Sequence, residues 1–154
     1  MQRFALLTIG KPKEEWVRDA TDLYAQRIRH FAQIEMLELA PSRGKTAEQQ
    51  RAEESERLLA MISKAEGEVW VLDETGEGMM SQSFAAKVSK ARDEGTPIVF
   101  VLGGAYGFTD AVRKAGRRVI RLSDMTLPHE LARVVFLEQL YRALEINRGS
   151  GYHH

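Results

Sequence analysis

The chain has 154 residues, the length of one ordinary domain with room for a sizeable core, so we expect a single domain spanning residues 1–154. Its 22 basic and 22 acidic side chains cancel, which disfavours a general polyanion-binding surface. The absence of cysteine excludes disulfides and thiol chemistry. No apolar run reaches the roughly 20 residues that span a bilayer, and the N-terminus lacks a signal-peptide pattern. These features predict a cytosolic protein with no membrane partner.

Short apolar runs alternate with amphipathic stretches, a pattern typical of an α/β domain with a mainly parallel sheet flanked by helices. The predicted strands, in chain order, are residues 4–9, 33–39, 69–72, 98–102 and 118–122. The predicted helices are residues 14–31, 46–65 and 84–93, a short helix after Thr109, and residues 131–144. Three polar residues at predicted helix starts are expected to act as N-caps, namely Thr46, Ser81 and Thr109. Residues 40–45 are predicted to form a mobile basic loop.

The final predicted helix is apolar around most of its circumference. Its apolar side chains include Val134, Val135, Phe136, Leu140 and Tyr141. Such a helix must be buried on several sides, so we expect it to pack against a second subunit as well as the sheet. From residue 113 onward the chain carries eight basic and four acidic side chains, a net charge of +4. A homodimer would join two such regions into a basic face of RNA size, whereas the alternative is scattered solvated charge.

Three loops follow predicted strands, at residues 73–78, 103–107 and 123–128. Open α/β sheets bind ligands at the carboxyl ends of their strands, so we expect these loops to converge. The G-G-x-x-G spacing of the second loop lets the backbone approach a ligand closely, but it matches neither a dinucleotide fingerprint nor a P-loop, and a plain strand-to-helix turn is the alternative. The third loop has small hydroxyls and exposed backbone before a proline-started helix, which suits a flat ring such as adenine.

Four groups of residues make the whole sequence resemble the SPOUT methyltransferases, and within them the ribosomal large subunit methyltransferase H family. They are Leu102-Gly103-Gly104 with Gly107; Leu122-Ser123 through Thr126-Leu127-Pro128-His129; Arg133 with Glu138-Gln139 and Tyr141-Arg142-Ala143; and Tyr152-His153. The resemblance implies a C-terminal trefoil knot, a rare exception to the rule against knots. It also implies an S-adenosylmethionine-dependent enzyme that methylates N3 of a pseudouridine in 23S rRNA.

The resemblance further implies the cofactor site and the partners. By motif position, the residues that would bind S-adenosylmethionine are Leu72, Gly103, Gly104, Leu122, Ser123, Asp124, Met125, Thr126 and Leu127. No metal is needed, because the methyl sulfonium is itself a strong electrophile and the enzyme mainly aligns the base nitrogen with it. The expected partners are a second copy of the chain, contributing groups to a shared RNA site, and 23S rRNA within the assembled ribosome.

Three C-terminal residues are the candidate catalytic groups. His153 would accept the N3 proton, Tyr152 would stack on or hydrogen-bond the base, and Arg142 would contact RNA or steady the tail. The spacing of Glu138 and Arg142 also fits a structural ion pair. His154 departs from the family, where we expect arginine or lysine, so its role stays open. Two alternative functions remain: methylation of another RNA nucleotide, and a non-catalytic ribosome-binding role.

Overall fold

Five parallel strands form one sheet in the computed structural model, which describes residues 1–154. The strands are β1 (Arg3–Ile9), β2 (Gln33–Leu39), β3 (Glu68–Glu77), β4 (Ile98–Leu102) and β5 (Arg118–Ile120). The helices are α1 (Glu15–Arg29), α2 (Ala47–Ile62), α3 (Ser81–Asp93), α4 (Asp110–Ala115) and α5 (His129–Arg148). The sheet order is β2-β1-β4-β3-β5. The predicted α/β architecture is therefore confirmed, while the trefoil knot stays a prediction.

The sheet is buried on both faces. Successive strand residues point to opposite sides, so each strand contributes apolar side chains to both. On one face, Leu6 and Phe100 join a core that contacts α1, α3 and α5. The rings of Phe100 and Phe136 are centred 4.6 Å apart there, which fixes α5 against the middle of the sheet. On the other face, Leu7 and Val101 pack with apolar residues of α2 and α4. The carboxyl edge is left for the loops that follow the strands.

The predicted caps differ in outcome. Thr46 caps α2 as expected, since its hydroxyl accepts the Gln49 N–H at 3.1 Å. Ser81 does not cap α3: it is the first helical residue, and its hydroxyl donates to Oε1 of Gln139 on α5 at 2.7 Å instead. Thr109 occupies the N-cap position of α4 but makes no side-chain cap. Its own N–H donates to the Ser55 hydroxyl at 3.0 Å. Tertiary partners have replaced local ones at both positions.

The final helix α5 packs against α1 and α3. It is longer than predicted, because it starts directly after Pro128 and ends at Gly149, whose φ of 70° is the left-handed conformation that commonly terminates helices. Val134, Val135 and Tyr141 remain partly exposed in the single chain. This apolar surface is what the predicted homodimer would cover.

The end of β3 folds tightly against β5. Beyond Leu72 the pairing is interrupted, and Glu77 then also pairs with Ile120, so β3 extends five residues beyond its predicted end. A Cβ at Gly76 would lie 2.6 Å from backbone atoms of Val119 and Ile120. The Arg121 N–H donates to the Glu77 carbonyl at 3.0 Å. Only glycine fits at position 76. The close contact determines the direction of the segment that follows β5.

We expect Gly76→Ala to destabilise the protein by about 1–3 kcal/mol, because β5 must shift to admit the methyl group. Amide exchange of Val119 and Ile120 should accelerate in this variant. The control is Gly95→Ala, where no atom lies within 4 Å and only the positive φ is strained. Unchanged exchange in β5 of Gly76→Ala would contradict the close contact.

Candidate functional site

An apolar pocket opens at the carboxyl edge of the sheet, between the ends of β3 and β4 and the segment after β5. Its lining residues are Leu72, Asp73, Glu74, Leu102, Leu122, Ser123, Met125, Leu127 and Ala132. Five of the nine predicted cofactor residues are among them. Leucine side chains from three separate parts of the chain thus face one space, and two carboxylates stand at its border.

A larger cavity of about 910 Å³ adjoins this pocket and shares Asp73, Glu74 and Leu127 with it. Its walls are the loop and helix start at residues 104–110, the segment 126–129, and the side chains of Arg51 and Arg113. Two more predicted cofactor residues, Gly104 and Thr126, border this space. Its volume lies in the range typical of small-molecule sites. The three loops named from the sequence therefore converge as predicted.

Two predicted cofactor residues do not line either cavity. Gly103 packs inside its own loop, where an added Cβ would lie 3.1 Å from the Phe108 ring. Asp124 forms an ion pair with Arg121 at 2.7 Å and is largely exposed. In this structure Gly103 allows the loop to close, and Asp124 stabilises the turn after β5. Their direct contact with a cofactor stays a prediction.

Asp73 and Arg113 form an ion pair in the cavity wall that sequence reasoning missed. Their side chains are 3.0 Å apart, and the Asp73 side chain is only 8% exposed. Burial opposes ionisation of Asp73, but hydrogen bonds from Thr75 and Arg113 outweigh it and hold the pKa of Asp73 below its ordinary value. Asp73 directly follows a predicted strand, a position that could have indicated a site residue. No local pattern indicates Arg113, which is forty positions further along the chain. The cavity thus has a fixed carboxylate at its rim.

The three predicted catalytic residues lie together at the C-terminal end of α5. The Arg142 guanidinium donates to the Glu138 carboxylate at 2.6 and 2.9 Å. It also lies 4.9 Å from the centre of the Tyr152 ring, and its Nη1 is 3.1 Å from Nδ1 of His153. The Tyr152 hydroxyl donates to Glu138 at 3.4 Å. Glu138, the expected structural partner of Arg142, is therefore the centre of this cluster.

Proton positions in this C-terminal cluster follow from its donors. Arginine only donates, so Nδ1 of His153 accepts from Arg142, while the Gln82 side-chain amide lies 2.8 Å from Nε2 on the other side of the ring. The hydrogen bond to Glu138 raises the pKa of Arg142, while burial and then the Glu138 charge raise the pKa of Tyr152. At neutral pH Arg142 is therefore charged and Tyr152 is protonated.

Helix α5 separates the C-terminal cluster from the cofactor cavities of the same chain. Ala132 lines the apolar pocket, and Arg142 lies ten residues further along the helix. At a rise of 1.5 Å per residue this is about 15 Å along the axis. Within a single chain, the tail residues and the pocket therefore lie beside different parts of α5.

The fold and cavity define an open parallel α/β protein with a ligand site at the carboxyl edge of its sheet. The chain belongs to the SPOUT methyltransferases, since the family described as "Predicted SPOUT methyltransferase" matches residues 2–153. It is 48% identical over 153 residues to the "Ribosomal RNA large subunit methyltransferase H" of Geobacter sp. (strain M21), covering 99% of each chain. The protein of the same name from Geobacter sulfurreducens is 44% identical, again over 99% of both. The chain is thus a methyltransferase by family.

Solved structures agree on the fold. A probable methyltransferase from Bordetella pertussis Tohama I superposes with a TM-score of 0.58 at 16% identity, covering 93% of this chain and 95% of that one. A putative methylase family protein from Neisseria gonorrhoeae gives a TM-score of 0.53 at 11% identity, covering 92% and 82%. At these identities the similarity concerns the fold alone. None of the helices combines the length and apolar character that a bilayer crossing requires.

We expect Arg113→Gln to destabilise the protein by about 1–3 kcal/mol at pH 7, because Asp73 loses a charged hydrogen-bond partner. The folded-state pKa of Asp73 is depressed, so its contribution is complete above the unfolded pKa of about 3.9 and is lost as the pH falls through the folded value. The difference from wild type in urea unfolding should therefore shrink below about pH 4. Lys114→Gln, an exposed neighbour with no ion pair, is the control; equal unfolding free energies for the two variants at pH 7 would refute the role of the pair.

Proposed function

We propose that this chain transfers the methyl group of S-adenosylmethionine to N3 of a pseudouridine in 23S rRNA, on the assembled ribosome. The observation that carries the proposal is the 48% identity, over the full length, to a relative named as a ribosomal RNA large subunit methyltransferase. The residues that make the sequence similar to this family lie largely around one cavity or in the C-terminal cluster. Small size and neutral charge favour a preassembled ribosomal surface over free RNA.

The lining residues suit S-adenosylmethionine. Leu72, Leu102 and Leu122 offer apolar contact to an adenine ring. The carboxylates of Asp73 and Glu74 complement ribose hydroxyls and a positively charged sulfonium or amino group. When bound, S-adenosylmethionine supplies an electrophilic methyl group. The chain's part is to hold this cofactor and exclude water around the reacting nitrogen.

The C-terminal cluster supplies the acid–base chemistry in this proposal. Removal of the N3 proton needs an acceptor, and His153 is the candidate base. Its Nδ1 lone pair faces Arg142 in the single chain, so the ring must exchange this contact when RNA arrives. Arg142, held charged by Glu138, is then placed to stabilise the anion that develops on the base. Tyr152 presents its ring for stacking.

The same proposal includes a homodimer with a shared site. The apolar surface of α5 at Val134, Val135 and Tyr141 is partly exposed, and the cluster and pocket of one chain lie about 15 Å apart along α5. Pairing through α5 would cover the apolar surface. It would also let the tail of one subunit serve the pocket of the other.

Mass spectrometry of 23S rRNA from a strain lacking the gene tests the reaction. We expect one pseudouridine to lose its N3 methyl group and to regain it when purified protein and S-adenosylmethionine are added. Loss of a methyl group from a different nucleotide would support the alternative target. Unchanged methylation, together with no S-adenosylmethionine binding in calorimetry, would favour a non-catalytic ribosome-binding role.

Mixed dimers test the shared site. Gly104→Val displaces the loop that forms one wall of the cavity, because even a Cβ at this position would lie 2.5 Å from the Glu54 carboxylate, and His153→Ala removes the candidate base. Each variant alone should be nearly inactive. Refolded together, they should recover about a quarter of wild-type activity, since half of the dimers are mixed and each has one intact site. No recovery would contradict the shared site, and full activity of His153→Ala alone would remove this residue from catalysis.

A further inference from the structure

Five basic residues in the segments after β1 and β2 and at the start of α2 form no ion pair. They are Lys11, Lys13, Arg43, Lys45 and Arg51, which we call the cationic rim. No carboxylate oxygen lies within 4.0 Å of any of their charged nitrogens, whereas Arg113, Arg121 and Arg142 on the same chain are all paired. Lys11, Lys13, Arg43 and Lys45 are also exposed. Their charges are therefore available to a partner.

The rim lies on the same edge of the sheet as the cofactor cavity. Lys11 and Lys13 follow β1, Arg43 and Lys45 follow β2, and parallel strands end at one edge. Arg51, in the first turns of α2, lines the cavity itself together with His129. The loops after β1 and β2 are also adjacent, since a Cβ at Gly10 would lie 3.9 Å from the Pro41 ring.

The loop after β1 is fixed to the start of α5. The buried Arg133 guanidinium donates to the Gly10 carbonyl at 3.0 Å and to the Glu38 carboxylate at 3.3 Å. The Lys13 N–H donates to the Glu130 carboxylate at 2.5 Å, and the Glu14 N–H does so at 3.3 Å. Glu130 is thereby occupied by backbone donors. Lys11 and Lys13 are held beside the segment that closes the cavity.

The loop after β2, which its composition predicts to be mobile, is hydrogen-bonded to α2. The Ser42 N–H donates to Glu54 at 3.0 Å, the Gly44 N–H to the Ser42 hydroxyl at 2.9 Å, and the Gln50 amide to the Gly44 carbonyl at 2.8 Å. Glu53 accepts hydrogen bonds from the Ser42 hydroxyl and the Gln49 amide. The Glu53 and Glu54 carboxylates thus accept hydrogen bonds from the loop and from α2. They form no ion pair with Arg43 or Lys45.

We propose that the cationic rim binds the phosphodiester backbone of the rRNA that flanks the target nucleotide. The inference rests on the proposed function, because a nucleotide that enters the cavity must bring its neighbours across this edge of the sheet. A chain of zero net charge cannot hold RNA by its overall field. It needs a local group of unpaired cations at the point of entry, and the rim is such a group. The RNA backbone contacts fix position, while the cavity selects the base.

Neutralising the rim in pairs tests the inference. The variants are Lys11→Gln with Lys13→Gln, and Arg43→Gln with Lys45→Gln. The control is Arg29→Gln with Lys64→Gln, two exposed cations without ion pairs that precede β2 and β3 at the opposite edge. Each protein is titrated with large ribosomal subunits from a strain lacking the gene, over a range of salt concentrations. Calorimetry measures S-adenosylmethionine binding in parallel.

Each rim variant should bind the subunits about tenfold more weakly near 0.15 M salt, with the log–log salt slope shallower by about 1.4 for two lost phosphate contacts. Cofactor affinity should be unchanged, and kcat/KM should fall while kcat stays within about twofold of wild type. Affinity and slope equal to those of the control, in both rim variants, would overturn the inference. A wild-type protein that binds subunits through the rim without transferring methyl would instead count against the proposed function alone.

Discussion

The close contact between Gly76 and β5 is the constraint on which the site depends. The short strand β5 has only three residues, yet it must direct the following segment over the carboxyl edge so that Leu122 and Leu127 face Leu72. It does so because the end of β3 returns to pair with Ile120 and because Gly76 has no side chain at the contact with the β5 backbone. A side chain there would move the segment away from β3. The pocket is thus a product of backbone packing, and its leucines only line a space that this packing has created.

A second constraint joins the site to α5. Arg133, buried on this helix, donates to the Gly10 carbonyl and pairs with Glu38, so one guanidinium connects the loop after β1 to the end of β2. Such a buried charge is costly unless it is well paired. Its placement therefore couples the rim, the cavity and the helix expected to join two subunits. Further along α5, Glu138 accepts hydrogen bonds from Arg142 and Tyr152. A single helix thus carries residues of the proposed cofactor, RNA and dimer contacts.

The sequence was most informative where the signal is local. Each strand is a short apolar run bounded by loop residues, so all five were found, and both ends of every strand except β3 were placed to within two positions. The end of β3 was missed because its pairing with Ile120 depends on a residue forty-three positions away. Likewise Asp73 and Arg113 meet only through the fold. Of the predicted cofactor residues, Leu72 and the leucines after β5 border the pocket, while Gly103 and Asp124 do not. The motif identifies the segment, but packing decides which side chains face inward.

We propose that the converging loops bind S-adenosylmethionine for methyl transfer. Hydrogen–deuterium exchange measured with and without S-adenosylmethionine tests it most directly, because it reports each backbone segment separately. We expect slower exchange at residues 103–107 and 122–127 when the cofactor is bound, because these loops border the cavities. Residues 92–97, at the opposite edge, should exchange at an unchanged rate. Protection confined to that opposite edge, or no protection at saturating cofactor, would contradict it.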